Sequence, residues 1–448
     1  MGSDPLTKIL YFDYWTKGLP HNILPLDRHL LAKGIERIMV HVGSWRDPSV
    51  KDEEVVDGLL CRDIRFYGGD LRRVFATERP NATYVLNVGG AVDRLVNRIC
   101  RNLNIKTVFL MHGVMPLGKN IDVEKKRLNQ GFSIVKRLSK VLKYLRIYGL
   151  HLGEVARTNF FELFNPRTYG HMIYMIVSPG SVYADPWVDK DLYPDLTLLY
   201  SEAYRKHFIE RMKFNPDSIK VVGNPQLDPV LQLACSPDSK AQISALYARL
   251  GIPGDKPVVV FLVDGLDVAL GSFTEEEWLQ ELRDVAEAVR CFGGHLVLKL
   301  HPTNNRSLVE KAFDSFSHVN ILQNEVNLSI VLGSIAVVGH ISSALMIPVA
   351  LNIPVLVPRW SRVYSEFDYY ISNNVALPVS SSKELVPLLK EISDNRFFSD
   401  SCSTEFFKYQ ITFTDGRSWE RIAAEILGIL KSKTYDESTH SLSRAAGN

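Results

Sequence analysis

Four shortages bound what this 448-residue sequence can encode. Cysteine is scarce: Cys61, Cys100, Cys235, Cys291 and Cys402 are odd in number, widely scattered and form no C-x-x-C pair. That excludes a disulfide framework, gives no sign of a zinc site and fits reduced thiols in a cytosolic protein. Long apolar runs are missing: no window reaches about 18 uninterrupted apolar residues, so no membrane-spanning helix is expected. An excess of one charge is missing too, since 52 basic against 50 acidic residues leave a net charge of +2, too little for a dedicated nucleic-acid binder. No G-x-G-x-x-G follows a strand-like run, which argues against a dinucleotide site.

What is present is apolar bulk. The chain is 46% hydrophobic and 23% charged, enough to bury large cores and too long for one comfortable domain. The opening Met-Gly-Ser-Asp-Pro reads as an appended leader and is set aside. Short β-rich runs then alternate with helical patterns, the signature of a parallel doubly wound α/β sheet. Expected strands in the first half are Ile9 to Trp15, Arg37 to Val42, Ile64 to Tyr67, Thr83 to Val88, Thr107 to Met111, His171 to Pro179 and Leu196 to Tyr200. The Pro/Gly/Ser-rich composition between Ala234 and Pro257 marks a boundary, after which the alternation resumes. The expected organisation is an N-terminal Rossmann-like domain at 6–235 and a second at 236–415. Residues 416–448 supply a helix packing back toward the first domain and a frayed tail.

The chain is organised around Gly293 to Thr303. There a buried strand carries Lys299 and His301 to its carboxyl end and Pro302 stops it. Two further runs end in polar residues, Pro257 through Asp264-Gly265 and Ile335 through His340 to Ser342-Ser343. In open α/β sheets ligands sit beyond the carboxyl ends of strands, so a carboxylate, an imidazole and two hydroxyls there suit a phosphorylated ligand. Ordinary structural readings stand beside this one, because a His-Pro after a strand is also a common turn.

In the first half, His112-Gly-Val-Met-Pro-Leu-Gly-Lys119 follows a strand, Ser201 caps a helix opening on Glu202, and Gly223-Asn224-Pro225 breaks another strand. Between Glu124 and Arg157 lie Lys125, Lys126, Arg127, Lys136, Arg137, Lys140, Lys143 and Arg146, with Leu138, Val141, Leu142 and Leu145 on one side of a helical pattern. This is either a basic amphipathic helix for an anionic leaflet or an ordinary surface helix.

Two doubly wound domains resemble the GT-B glycosyltransferase architecture, over about residues 8–430. Lys299-Leu-His301-Pro302, followed some forty residues later by Ser342-Ser343, is similar to the His-Pro and paired-serine motifs of bacterial transferases that use cytidine-nucleotide donors. These include sialyltransferases, Kdo transferases and CDP-glycerol glycerophosphotransferases. Val263-Asp264-Gly265 resembles the acidic motif of the sialyltransferases, with Val263 in place of the first acid. The His112 loop and Gly223-Asn-Pro-Gln-Leu-Asp228 look closer to the glycerophosphotransferases.

The resemblance implies transfer of a Kdo or other nonulosonic acid from a CMP-linked donor to a lipopolysaccharide or capsule glycan, at the inner face of a bacterial membrane. Alternatives are a CDP-glycerol-type polymerase and a UDP-sugar epimerase. Asp264 (or Asp267) would be base or nucleophile, and His301 would serve the leaving phosphate. Lys299, Ser342, Ser343, Gly265 and Asn224 would hold the donor, and Glu202, His112 and Lys119 the acceptor side. No Asp-x-Asp stands at a strand end, so neither a metal nor another cofactor is expected.

Overall fold

The structure, a computed structural model, describes residues 7–14, 19–88, 90–112, 134–166, 169, 191, 193–263, 274–302, 304–324, 328–340, 342–360, 369–394 and 406–445. The chain divides into two compact units, residues 1–113, 132–226 and 417–448 in the first and residues 114–131 and 227–416 in the second. Each is an α/β unit on a predominantly parallel sheet, the fold class the alternation predicts.

In the first unit the strands are β1 (Lys8–Asp13), β2 (Glu36–His41), β3 (Glu53–Val56), β4 (Leu59–Asp63), β5 (Ala82–Val85), β6 (Lys106–Leu110), β7 (Leu196–Leu199) and β8 (Ile219–Val221). Their order is β3-β4-β2-β1-β5-β6-β7-β8, parallel throughout except for the β3–β4 hairpin. The chain therefore starts in the middle, winds outward on one side and returns to the other. Ile9, Leu10 and Tyr11 of β1 are fully buried, as a strand covered on both faces requires. The helices are α1 (Leu24–Leu31), α2 (Leu71–Glu78), α3 (Ala91–Asn102), α4 (Ile134–Thr158) and α5 (Glu202–Glu210). The C-terminal helix (Ser418–Ala445) packs against α1, buries Ile422 and Ile426, and donates from Arg421 Nε to the carbonyl of Val222 at 2.8 Å.

One expected strand is a helix. Ile64–Tyr67 forms a 3-10 turn because the Asp63 carboxylate accepts from the Arg65 amide at 3.0 Å, capping a turn that Gly68 closes at φ 70°. The strand lies just before it, at β4. The strand expected at His171 to Pro179 falls outside the described residues.

The second unit carries β9 (Val258–Leu262), β10 (His295–Lys299), β11 (Val319–Leu322), β12 (Ala336–Gly339), β13 (Val355–Pro358) and β14 (Leu377–Val379), all parallel, in the order β11-β10-β9-β12-β13-β14. Side chains alternate along β9. Val258, Val260 and Leu262 pack with α6 (Asp228–Cys235), α7 (Ser239–Arg249) and the Met346–Ala350 helix. Val259, Phe261 and Val263 pack with α8 (Glu275–Phe292), α9 (Arg306–Phe313) and α10 (Ser382–Ser393). The capping box of Thr274 and Glu277 fixes where α8 begins, with the Thr274 hydroxyl accepting from the Glu277 amide at 3.2 Å. Residues Ser343–Leu345 form a 3-10 turn before the chain becomes α-helical at Met346–Ala350.

A buried ionic network ties α3 and α4 together in the first unit. Asp191, 2% exposed, accepts from Arg98 Nε at 3.0 Å and Arg101 Nη1 at 2.6 Å, and pairs with His151 Nε2 at 3.0 Å. Burial acts to raise its carboxyl, but the His151 hydrogen bond and the two guanidiniums outweigh it and hold the group below the ordinary aspartate range. A depressed carboxyl contributes stability above its unfolded value and loses it as pH falls through its native value. Replacing Arg98 by Met leaves that charge to Arg101 and His151 and is expected to cost about 1.5–3 kcal/mol at neutral pH, less in acid where Asp191 protonates. Urea unfolding across pH tests this; a loss no larger than that of Arg290→Met, on an exposed helix face, would refute it.

Candidate functional site

The first strand of the second unit, β9, has β10 on one side and β12 on the other. Leu262 is in register with both Lys299 and Gly339, so the three chains leave the sheet at one level. Winding reverses between β9 and β12, which makes this edge the topological switch point where ligands of open α/β sheets bind. Asp264 comes two residues after Leu262 in sequence, His301 two after Lys299 and Ser342 three after Gly339. Asp264, Gly265, Asp267 and the Ser343 side chain lie outside the described residues.

His301 is exposed, on a turn stapled by side chains. Its amide donates to Asn304 Oδ1 at 2.7 Å, and its carbonyl accepts from Gln323 Nε2 at 2.9 Å. Lys299 has a different local role: its ammonium donates to the carbonyl of Gln323 beyond β11, and burial lowers it below the ordinary lysine range. Half-buried Ser342 accepts at Oγ from the Ala344 amide at 3.3 Å, while its carbonyl accepts from the Tyr370 hydroxyl at 3.1 Å. This presents the start of the Ser343–Leu345 turn at the sheet edge. Beneath it His340 and Glu281, 4% exposed each, meet at 2.6 Å, with the imidazole against Phe261. That pair was legible only as His340 standing two residues before the serines.

The remaining residues belong to other strand ends. Asn224 is buried behind β8 in the first unit, where its Oδ1 accepts from the Gln226 amide at 3.0 Å and Gly223 takes φ 91°. Glu202 opens α5 and sits 3.6 Å from Arg205. His112 follows β6, and Lys119 lies outside the described residues.

The first unit has its own switch point, between β1 and β5, and the sequence reading passed over its residues. Asp13 ends β1, and the next residue, Tyr14, donates its hydroxyl to Asp93 Oδ1 at 3.0 Å. Asp93 also accepts from the Gly90 amide at 3.0 Å, in the first turn of α3. A Cβ at Gly90 would stand 2.6 Å from that carboxylate, so a larger residue there would have to push Asp93 off its hydrogen bonds. Burial pushes both carboxyls up to about 6; for Asp93 it outweighs the Tyr14 and Gly90 hydrogen bonds, and the Asp13 charge adds to it. The available signal was an aspartate closing the first strand together with Gly89-Gly90 closing the fourth parallel one.

Two Rossmann-like sheets, each with polar residues at its switch point, define a GT-B-type fold. The chain is similar to the wall teichoic acid polymerase TagF, with TM-score 0.59, 12% identity, and coverage of 96% of this chain and 90% of that one. It is also similar to the UDP-GlcNAc 2-epimerase of Neisseria meningitidis bound to UDP-GlcNAc, with TM-score 0.53, 11% identity, 94% of this chain and all of that one. A third is the S. aureus MnaA–UDP co-structure, with TM-score 0.52, 14% identity and coverage of 95% and 97%. These likenesses establish the fold. No protein-family model matches the sequence, and no curated protein matches it significantly.

A raised carboxyl favours the folded state below its unfolded value near pH 4, and that contribution is lost as pH rises through about 6. For Asp93, 4% exposed, the loss is on the order of 2–3 kcal/mol. Asp93→Asn is expected to be more stable than the parent at pH 8, with the gap closing as pH falls through 6 toward 4. Denaturant midpoints at several pH values check it; a gap independent of pH would mean that Asp93 titrates normally.

Proposed function

We propose that the protein is a transferase that moves a group from a cytidine-nucleotide donor to a glycan of the bacterial surface. The observation that carries this is the edge of the second sheet, where the strands on either side of β9 deliver His301 and the Ser342-Ser343 turn at one level. A sheet corner carrying serine hydroxyls suits a phosphate, and an imidazole on the same edge can donate to the leaving oxygen. In this reading Asp264 deprotonates the acceptor hydroxyl or attacks the donor carbon, and His112 and Glu202 serve the acceptor. The leading donor is a CMP-linked nonulosonic acid such as CMP-Kdo. The acceptor is a lipid-linked or capsule glycan, met at the inner face of the membrane.

A second reading, transfer of glycerol phosphate from CDP-glycerol, is favoured by the His112-Gly turn at the end of β6 and by the likeness of fold to TagF. Epimerisation of a UDP-sugar is the third, supported by fold alone.

Purified protein offered CMP-Kdo, CMP-sialic acid, CDP-glycerol and UDP-N-acetylglucosamine is expected to release CMP from a cytidine donor, with chelator present. His301→Ala is expected to lower that rate by about 10²–10⁴-fold while melting normally, since the residue is exposed. Interconversion of the UDP-sugar without an acceptor would replace the transferase reading, and near-native turnover of the variant would remove His301 from the reaction.

A further inference from the structure

Most of what holds the Ser342 turn is local. Upstream it is anchored, because His340 is fixed on Glu281 two residues earlier. Downstream the Ser342 carbonyl accepts from the Leu345 amide at 3.1 Å and the Ser342 Oγ from the Ala344 amide at 3.3 Å, the pattern of a tight turn. One further bond comes from a different part of the chain. The Tyr370 hydroxyl, on the Tyr369–Ser372 helix, donates to that same Ser342 carbonyl at 3.1 Å.

Tyr370 needs its ring for packing but not its hydroxyl. The ring is 5% exposed within the core on one face of the sheet, space that phenylalanine would fill as well. The hydroxyl costs desolvation there and makes its bond to an oxygen that already has a donor in Leu345, so little net stability is gained. Burial also pushes the phenol well above the ordinary tyrosine value, which keeps it protonated, and so a donor, throughout the physiological range. What the bond does fix is direction. A carbonyl held by two donors sets ψ of Ser342, and with it the angle at which the serine side chain leaves the turn. Half-buried Ser342 accepts at Oγ from Ala344 and keeps its own proton for a phosphate oxygen at the sheet edge.

The brace is itself anchored. The hydroxyl of the preceding residue, Tyr369, donates to Gln410 Oε1 at 2.8 Å on the Phe407–Ile411 π-turn, and its ring meets Phe406 at 6.2 Å. Asn373 Nδ2 donates to the Tyr369 carbonyl at 2.6 Å, and the Val375 amide to that of Tyr370 at 3.0 Å. Tyr370 therefore reaches Ser342 from a short helix that other side chains hold in place.

We propose that Tyr370 is a positioning residue of the second unit's edge: its hydroxyl orients Ser342 so that the serine hydroxyl meets a phosphate oxygen of the donor nucleotide. The inference rests on the cytidine-nucleotide reading of this site.

The test is calorimetric titration of the full chain with CMP and with CDP. Tyr370→Phe is expected to bind the nucleotide about tenfold more weakly, the effect of one misaligned charge-assisted hydrogen bond, while melting within a few degrees of the parent. Tyr247→Phe is the control for a purely structural role. It removes a buried hydroxyl bond of 3.0 Å to the Ile330 carbonyl in the same core, ahead of β12 rather than after it, and its affinity is expected to match the parent's. Ser342→Ala is expected to lose at least as much as Tyr370→Phe, and adding Tyr370→Phe to it to cost nothing further, because a residue acting through Ser342 has no effect once that hydroxyl is gone. Parent-like affinity in Tyr370→Phe, an equal loss in Tyr247→Phe, or additive losses in the double variant overturns the proposal and leaves the donor reading standing. Binding of neither nucleotide by the parent overturns that reading, and the proposal with it.

Discussion

Parallel strand pairing is the constraint on which the rest depends. In a parallel sheet every strand ends on the same edge, so whatever follows each strand is gathered there from distant parts of the chain. Leu262, Lys299 and Gly339 are separated by 37 and 40 residues in sequence yet lie in one register row. The row is kept by apolar burial on both faces: Val260 and Leu262 on one side, Val259 and Phe261 on the other, all 3% exposed or less. A slip of one residue would exchange the faces and move the polar ends out of level, so core packing and site geometry are one requirement.

The strand ends show how little of a site is free to do chemistry. Asn224, Asn304 and the Ser342 hydroxyl each accept a backbone hydrogen bond that shapes its own turn. The Lys299 ammonium is directed to a backbone carbonyl. These groups hold the loops that carry His301 and the Ser343–Leu345 turn. Polar residues at strand ends therefore divide into those that shape turns and those that meet a ligand, and spacing alone does not separate them.

This division explains what was legible in the sequence. The strand–helix alternation follows from apolar runs ending in Gly, Pro and Ser, which are local signals, whereas the strand read as central, Gly293 to Thr303, lies beside Val258–Leu262, which pairing puts between it and Ala336–Gly339. The 3-10 turn at Ile64–Tyr67 was not legible, because a side-chain cap from Asp63 overrode a β-like composition. The Asp13–Tyr14–Asp93 group was missed because its members are 79 residues apart and meet only once β1 and β5 are paired. The exposure of Phe160, Phe161 and Phe164 escaped notice for the opposite reason: a sequence shows apolar residues, but only packing shows which of them are left outside.

The two switch points differ in chemistry, and the difference follows from what surrounds them. In the second unit the edge carries an exposed imidazole and a half-buried serine hydroxyl, groups that can donate to a phosphate. In the first unit burial pushes two carboxyls up to about 6, with the Asp13 charge adding to the rise at Asp93, so that the edge there is acidic rather than donor-lined. Varying only the residues after each strand thus gives two sheets of one architecture different chemistry at their edges without altering either core.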